Sequence, residues 1–274
     1  CPLAGGGYCV AMRYLKGSSI LVAVCLMPLA SSQTPIAWWK FDEASGSTAS
    51  ATVGGIDGSL SGSATFASGI SGNALQLSSA GGSYASFGNN FGLIATSYSI
   101  SFWVNSTTTT SDQIILGKHR ATFVSGHFVG MGANGPYGAA NKAWAYQSSF
   151  PGNQPISTTS INDGSWHHVV VTYNIGSGSH TIYVDGAPAE SSTIAAGMGV
   201  AAADFMVGGI FTSGGAAVST FTGMVDDLQI YGEVLSDGHI NYLFNNPGSA
   251  VPEPATMTAL LVGGLSVLRR RKRA

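Results

Sequence analysis

The chain has 274 residues, of which only 9% are charged, against a share of about 25% in ordinary globular domains, and 38 are Gly. The formal net charge of −2 hides an asymmetry: residues 33–248 carry four cations, Lys40, Lys118, Arg120 and Lys142, against twelve carboxylates, a net of −8. Such a body disfavours nucleic acid and anionic lipid as partners, and it suits cation binding or a polysaccharide matrix.

In chain order, residues 1–11 fit no export pattern, and Met12 reads as the start. Met12, Arg13 and Lys16 form a positive n-region, residues 20–29 an apolar h-region, and Ala30, Ser31 and Ser32 a small-residue cleavage site before Gln33. A signal helix, removed on export, is therefore expected over residues 1–32. Val24 ahead of Cys25 is not the small residue a lipoprotein needs. Cys1, Cys9 and Cys25 all precede the cleavage point, so the mature protein has no disulfide and must rely on its core. Residues 33–248 are long enough to bury one, as a single all-β domain.

Strands are expected over residues 37–42, 74–77 and 84–87. Over 99–104, Ile100, Phe102 and Val104 alternate with Ser99 and Ser101, the period of a half-buried strand. Further strands are expected over 114–118, 127–131, 142–147 and 166–173, the last being β-branched and aromatic. Residues 181–184 run into Asp185-Gly186 and a strand from Ala187, a strong hairpin signal. Strands over 205–210 and 224–231 follow, then one short helix from Ser236 as N-cap to Phe244, with Ile240, Leu243 and Phe244 at helical spacing. The pattern is a β-sandwich with one terminal helical turn.

Several of these segments carry a resemblance: Trp39-Lys40-Phe41-Asp42-Glu43, Gly69-Ile70-Ser71-Gly72-Asn73-Ala74-Leu75, residues 99–104, Trp166-His167-His168-Val169, Tyr183-Val184-Asp185-Gly186, and Gly223-Met224-Val225-Asp226-Asp227-Leu228 continuing to Tyr231. Together they resemble the laminin G-like, concanavalin A-like jelly roll of bacterial surface proteins, two antiparallel sheets packed face to face. The resemblance implies a structural Trp166-His167 pair, with the Trp in the core and the His near a turn. It also implies pairing of the first and last strands, bringing Asp42 and Glu43 towards Asp226 and Asp227. Four carboxylates meeting there point to a structural calcium ion, since hard cations take oxygen ligands. The alternative is one aspartate bound to backbone amides with the others solvated.

Glycosidases need two carboxylates about 5 to 9 Å apart. Jelly-roll glycosidases place them on a Glu-x-Asp-x-(x)-Glu strand, which is absent here, and no Glu has an acidic partner two residues away. The expectation is a protein without catalysis. His167 and His168 are adjacent on a strand, point to opposite faces and cannot chelate one ion together. For a carbohydrate ligand the candidates are Tyr137, Asn141, Trp144 and Tyr146, with Phe123, His127, Phe150, Asn134 and Gln147 beside them, because sugar sites pair a flat aromatic face with amide hydrogen bonds. Most of these aromatics suit the sandwich core or loop anchors better than a ligand site.

The tail, residues 249–274, joins Val251, Pro252, Glu253 and Pro254 to an apolar run over 255–268, expected as a hydrophobic sorting helix, and a basic cluster, Arg269, Arg270, Arg271, Lys272 and Arg273. The prolines make a stiff spacer, and the apolar run is short against the roughly 20 residues of a comfortable span. The cations would stay cytoplasmic and hold an exported chain in the inner membrane briefly. This tail resembles the PEP-CTERM sorting signal of Gram-negative bacteria that make exopolysaccharide. The resemblance implies processing by an exosortase-type membrane protease and release or attachment at the cell surface or in the extracellular matrix, with a polysaccharide or surface glycan as partner. A purely structural matrix protein and a glycoside hydrolase or lyase are the other readings.

Overall fold

A computed structural model describes residues 8–9, 25–26, 33–90, 96–109, 112–119, 126–132, 141–147, 154–193, 203–212, 215–219 and 221–252. Residues 35–251 form one compact unit, and residues 1–34 with 252–274 form another. Of the expected signal helix, Tyr8–Cys9 and Cys25–Leu26 are described, and they pair as a short antiparallel ladder. The rest of that segment lies outside the described residues. So do Glu253, Pro254, the apolar run and the basic cluster, including the expected C-terminal helix.

The larger unit is the expected antiparallel sandwich. One sheet runs, edge to edge, through Ile156–Ser160, Lys142–Gln147, Gly126–Gly132, Gln113–His119, Phe205–Val207, Tyr84–Ser86, Gly58–Ser61 and Thr48–Ala49. The other runs through Ala187–Thr193, Ser179–Val184, His167–Asn174, Tyr98–Asn105, Gly223–Tyr231, Asn73–Leu77 and Thr65–Ser68, with Ala37–Trp39 also paired to Gly223–Tyr231. The first and last strands therefore do pair, in the register Trp39 to Leu228.

Alternation along each strand builds the interior. Ile100, Phe102 and Val104, Val169 and Val171, and Ile182 and Val184 meet Leu116, Val129, Met131, Ala143 and Ala145 of the facing sheet in a single cluster. Burying each large side chain contributes about 1.5–3 kcal/mol. Trp39, Phe87 and Phe205 anchor one part of it, with centroids 4.4 Å apart for Trp39 and Phe87 and 5.9 Å for Phe87 and Phe205.

The outer face of the second sheet is covered as well. Ser236 caps the helix Asp237–Asn245 by accepting from His239 N–H. Ile240 and Leu243 pack with Val170, Tyr231 and Leu235, and Phe244 stacks on Trp103 at 5.9 Å. Tyr98–Asn105 is thus buried on both faces instead of the expected one. Its serines are satisfied internally: Ser99 Oγ donates to Glu233 C=O at 2.8 Å and accepts from Leu235 N–H at 2.9 Å. Ser101 Oγ lies 2.8 Å from His168 Nε2.

Two other expectations change. The strand over 205–210 is broken at Gly208, whose φ of +92° suits glycine, so Phe205–Val207 stays in the large sheet while Gly209–Phe211 pairs with Ala217–Ser219. Trp166 is only half-buried, because the strand begins after it at His167.

Candidate functional site

The sequence motifs converge on the Gly69–Asn73 turn and the bulge in the last strand. Pairing of Gly223–Tyr231 with Tyr98–Asn105 shifts register between Asp226 and Gln229, and Asp227 takes a left-handed φ of +48°. This bulge is why both adjacent aspartates are buried rather than facing opposite ways. Asp226 Oδ2 accepts the N–H groups of Ile70 at 2.9 Å and Ser71 at 3.2 Å, and its Oδ1 accepts Asp227 N–H at 2.7 Å. Burial pushes its carboxyl up to about 7 against the pull of those three donors. Asp227 Oδ1 accepts from Trp38 Nε1 at 2.6 Å and Gln229 Nε2 at 3.0 Å, while its Oδ2 accepts Gly248 N–H at 2.8 Å. Burial raises its carboxyl too.

Asp42 takes the other arm of the turn. Its Oδ1 accepts Asn73 N–H at 3.0 Å, and Gly69 N–H closes the loop on Gly72 C=O at 2.9 Å. Glu43 Oε1 accepts Ser50 N–H, and its backbone carbonyl receives Asn73 Nδ2 at 3.1 Å. The four carboxylates expected around calcium each accept separate N–H donors, so more than one aspartate binds backbone amides, and three of them clamp the turn and the chain exit. Among the described residues, no three or more His, Cys, Asp or Glu side chains are gathered as a metal group.

The glycines of the turn have a matching reason. A Cβ at Gly69 would meet Asp226 Oδ2 and one at Gly72 would meet Asp42 Oδ1, and Gly72 has φ +72°. Gly55 has φ +64° with nothing near its would-be Cβ. Gly55→Ala is expected to cost about 1 kcal/mol through the backbone alone, and Gly72→Ala roughly twice that. Urea melts of the two variants check the contrast.

The ligand candidates divide. Tyr137, Phe123, Asn134 and Phe150 lie outside the described residues. Trp144 and Tyr146 sit on the outer face of the first sheet, away from Ala143 and Ala145, which point into the core. They form an aromatic cluster with Phe128: Phe128 stacks on Tyr146 at 4.6 Å and meets Trp144 edge-on at 5.3 Å. His119 joins at 5.0 Å from Phe128, held neutral at about 4 by burial. Gly130 makes room, since its Cβ would fall 2.5 Å from Trp144 Cζ2. The rings are not an open platform, however, with Trp144 only 4% and Tyr146 9% exposed. Asn141, at φ +63°, spends its Oδ1 on Asn162 Nδ2 at 2.9 Å.

His167 and His168 are each held by hydrogen bonds within the fold. His167 is held between Asp185 Oδ2, 2.9 Å from Nδ1, and Asp163 Oδ1, 3.1 Å from Nε2, and these carboxylates raise its pKa. Asp185 is the φ +53° residue of the expected hairpin turn, and its other oxygen accepts His168 N–H at 3.0 Å.

Residues 78–241, more than half of the chain, match the family described as the concanavalin A-like lectin/glucanases superfamily. The chain belongs to that superfamily. This lectin/glucanase fold is also seen in domain 4 of AbnA, a GH43 extracellular arabinanase from Geobacillus stearothermophilus, in complex with arabinotriose. The likeness is 20% identity and a TM-score of 0.59 over 78% of this chain and 99% of that one. A structure of botulinum neurotoxin type C, whose cell entry depends on interaction with two ganglioside molecules, has 16% identity and a TM-score of 0.57 over 78% of this chain and 51% of that one. Trypanosoma rangeli sialidase in complex with the inhibitor DANA has 17% identity and a TM-score of 0.55 over 76% and 32%. The chain thus spans about half of the toxin chain and a third of the sialidase chain. No curated protein matches it by sequence.

Sequence reasoning missed Asn73, Gln229 and the His127–His180 pair of the interior. Asn73 and Gln229 carry no chemical signature of their own, and each reaches a distant partner, Glu43 C=O for Asn73 and Ser249 C=O for Gln229. His127, a ligand candidate, lies in the expected strand with its ring fully buried.

Proposed function

We propose that this lectin/glucanase-type domain is exported, does no catalysis and binds carbohydrate or mediates adhesion in an exopolysaccharide matrix. The observation that carries this reading is the use of its carboxylates. Asp42, Glu43, Asp57, Asp226 and Asp227 accept backbone N–H groups, Asp163 and Asp185 hold His167, and Asp204 and Asp237 accept hydroxyl groups. Carboxylates spent on turns and clamps are unsuited to acid and base work on a glycosidic bond. The arabinotriose complex and the ganglioside-dependent toxin support a glycan as the partner.

The covered Trp144 and Tyr146 rings favour a second reading, a structural matrix protein without a specific glycan. A glycan array on the chain separates the two. Saturable binding of a defined glycan supports the first reading and its absence the second, while sugar release from the host's own exopolysaccharide would move the protein to the hydrolases.

The sorting proposal adds an exosortase-type partner and brief residence in the inner membrane. Gln229 Nε2 donates to Ser249 C=O at 3.0 Å and Asp227 holds Gly248, so the chain is pinned where it leaves the domain. Val251 is 6% exposed and packs with Val170 and Tyr231, which places the first residue of the motif inside the domain core rather than in a free spacer. Glu253→Ala is expected to leave thermal stability unchanged while trapping the protein in the inner membrane. Normal export of that variant would remove the sorting proposal without touching the glycan reading.

A further inference from the structure

One end of the interior is not filled by hydrocarbon. His127, from the first sheet, points inward beside Val129 and Met131, and His180, from the second, points inward beside Ile182 and Val184. Their rings meet at 5.5 Å and 67°. Tyr98 lies 5.2 Å from His127, and Tyr173 closes the group 5.6 Å from Tyr98 and 6.2 Å from His180. Both imidazoles are fully buried, and both nitrogens of each, together with Tyr98 Oη, have no hydrogen-bond partner. Five unpartnered polar atoms in one buried cluster are costly, since each carries about 1–3 kcal/mol of unrecovered desolvation.

We propose that His127, His180 and Tyr98 form an internal site for a divalent transition metal of the zinc type, clasping the two sheets. Imidazole nitrogen and phenolic oxygen suit such an ion, and neither calcium nor magnesium favours nitrogen. At usual Zn–N lengths, two imidazoles on one tetrahedral ion have ring centroids about 5 Å apart, close to the separation found. Two side chains from opposite sheets, with a third donor beside them, would link the layers of a domain whose sequence from residue 33 onward contains no Cys. Lone pairs without partners would gain ligand bonds, and binding energy would appear as folding energy.

The test uses the full chain with Cys1, Cys9 and Cys25 replaced by Ser, so that no thiolate competes. After chelation, zinc at a hundredfold excess over Kd is expected to raise Tm by about 5–10 °C, with one equivalent retained on desalting. Cobalt(II) is expected to give visible bands of a tetrahedral nitrogen and oxygen site. His127→Leu and His180→Leu should each abolish retention, the bands and the Tm response, while Tyr98→Phe, which keeps the ring, should weaken retention at least tenfold. His167→Ala, outside this cluster, should leave retention, the bands and the Tm response to zinc unchanged. An unchanged Tm with no retained metal overturns the proposal, as does binding that survives both leucine variants. If a leucine variant fails to fold, Tyr98→Phe and the cobalt spectrum of the parent decide the matter.

Discussion

Lowering the pH from 7 to 5 in the presence of chelator is expected to cost the domain about 4 kcal/mol of stability. Burial holds His168 and His180 at about 3, His119 at about 4 and His127 well below its ordinary value. Their folded pKa values lie below the unfolded value near 6.5, so below that pH the unfolded chain takes up protons that the folded domain refuses. Stability is therefore present above about pH 6.5 and lost as the pH falls. Asp226, raised to about 7, works in the opposite direction, because its folded form keeps a proton that the unfolded chain releases above about pH 4. Four histidines outweigh one or two carboxyls, and the net slope near pH 5 is about 3 kcal/mol per pH unit, against a total stability of roughly 5–15 kcal/mol. His168→Phe should move the acid midpoint downward, since it removes one of these protons. A loss below about 1 kcal/mol between pH 7 and 5, read by urea melts followed by tryptophan fluorescence, would contradict the burial of these rings. His167 is separate, because its raised pKa gives a contribution present below about 6.5 and lost as the pH climbs through its folded value.

Asp227→Ala is expected to cost about 3–5 kcal/mol, among the largest effects of any polar substitution in this domain. It removes an acceptor from the buried Trp38 Nε1 and Gln229 Nε2 and from the half-buried Gly248 N–H, and places Ala at a left-handed φ that Asp tolerates better. Because Gln229 in turn accepts from Tyr231 Oη and donates to Ser249 C=O, the loss should also loosen residues 248–251. Asp227→Asn keeps an acceptor for Trp38 and Gln229 but turns an amide on Gly248, so about half the loss is expected. The midpoint in urea should fall by more than 1 M for Asp227→Ala with little change in slope. A shift below 0.3 M would show that the network is not coupled to the fold.

The sequence by itself determined the class of fold and most of its strands, because alternation of apolar and polar residues is a local property. Ile100, Phe102 and Val104, the Asp185-Gly186 turn and the Ser236 cap all act within a few residues, and each stands where its spacing places it. Gly58–Ser61 and Thr65–Ser68 escaped notice because small polar residues near a sheet edge carry no periodic signal. Tertiary structure alone decided the environment of the candidate sites. The bulge at Asp227 built a buried hydrogen-bond clamp at the acidic edge, since bulge formation depends on register with Tyr98–Asn105. The helix covered Ser99, Ser101 and Trp103, which the sequence presents as one polar and one apolar face. His127 and His180 lie 53 residues apart on different sheets, and only the packing of those sheets brings their rings together.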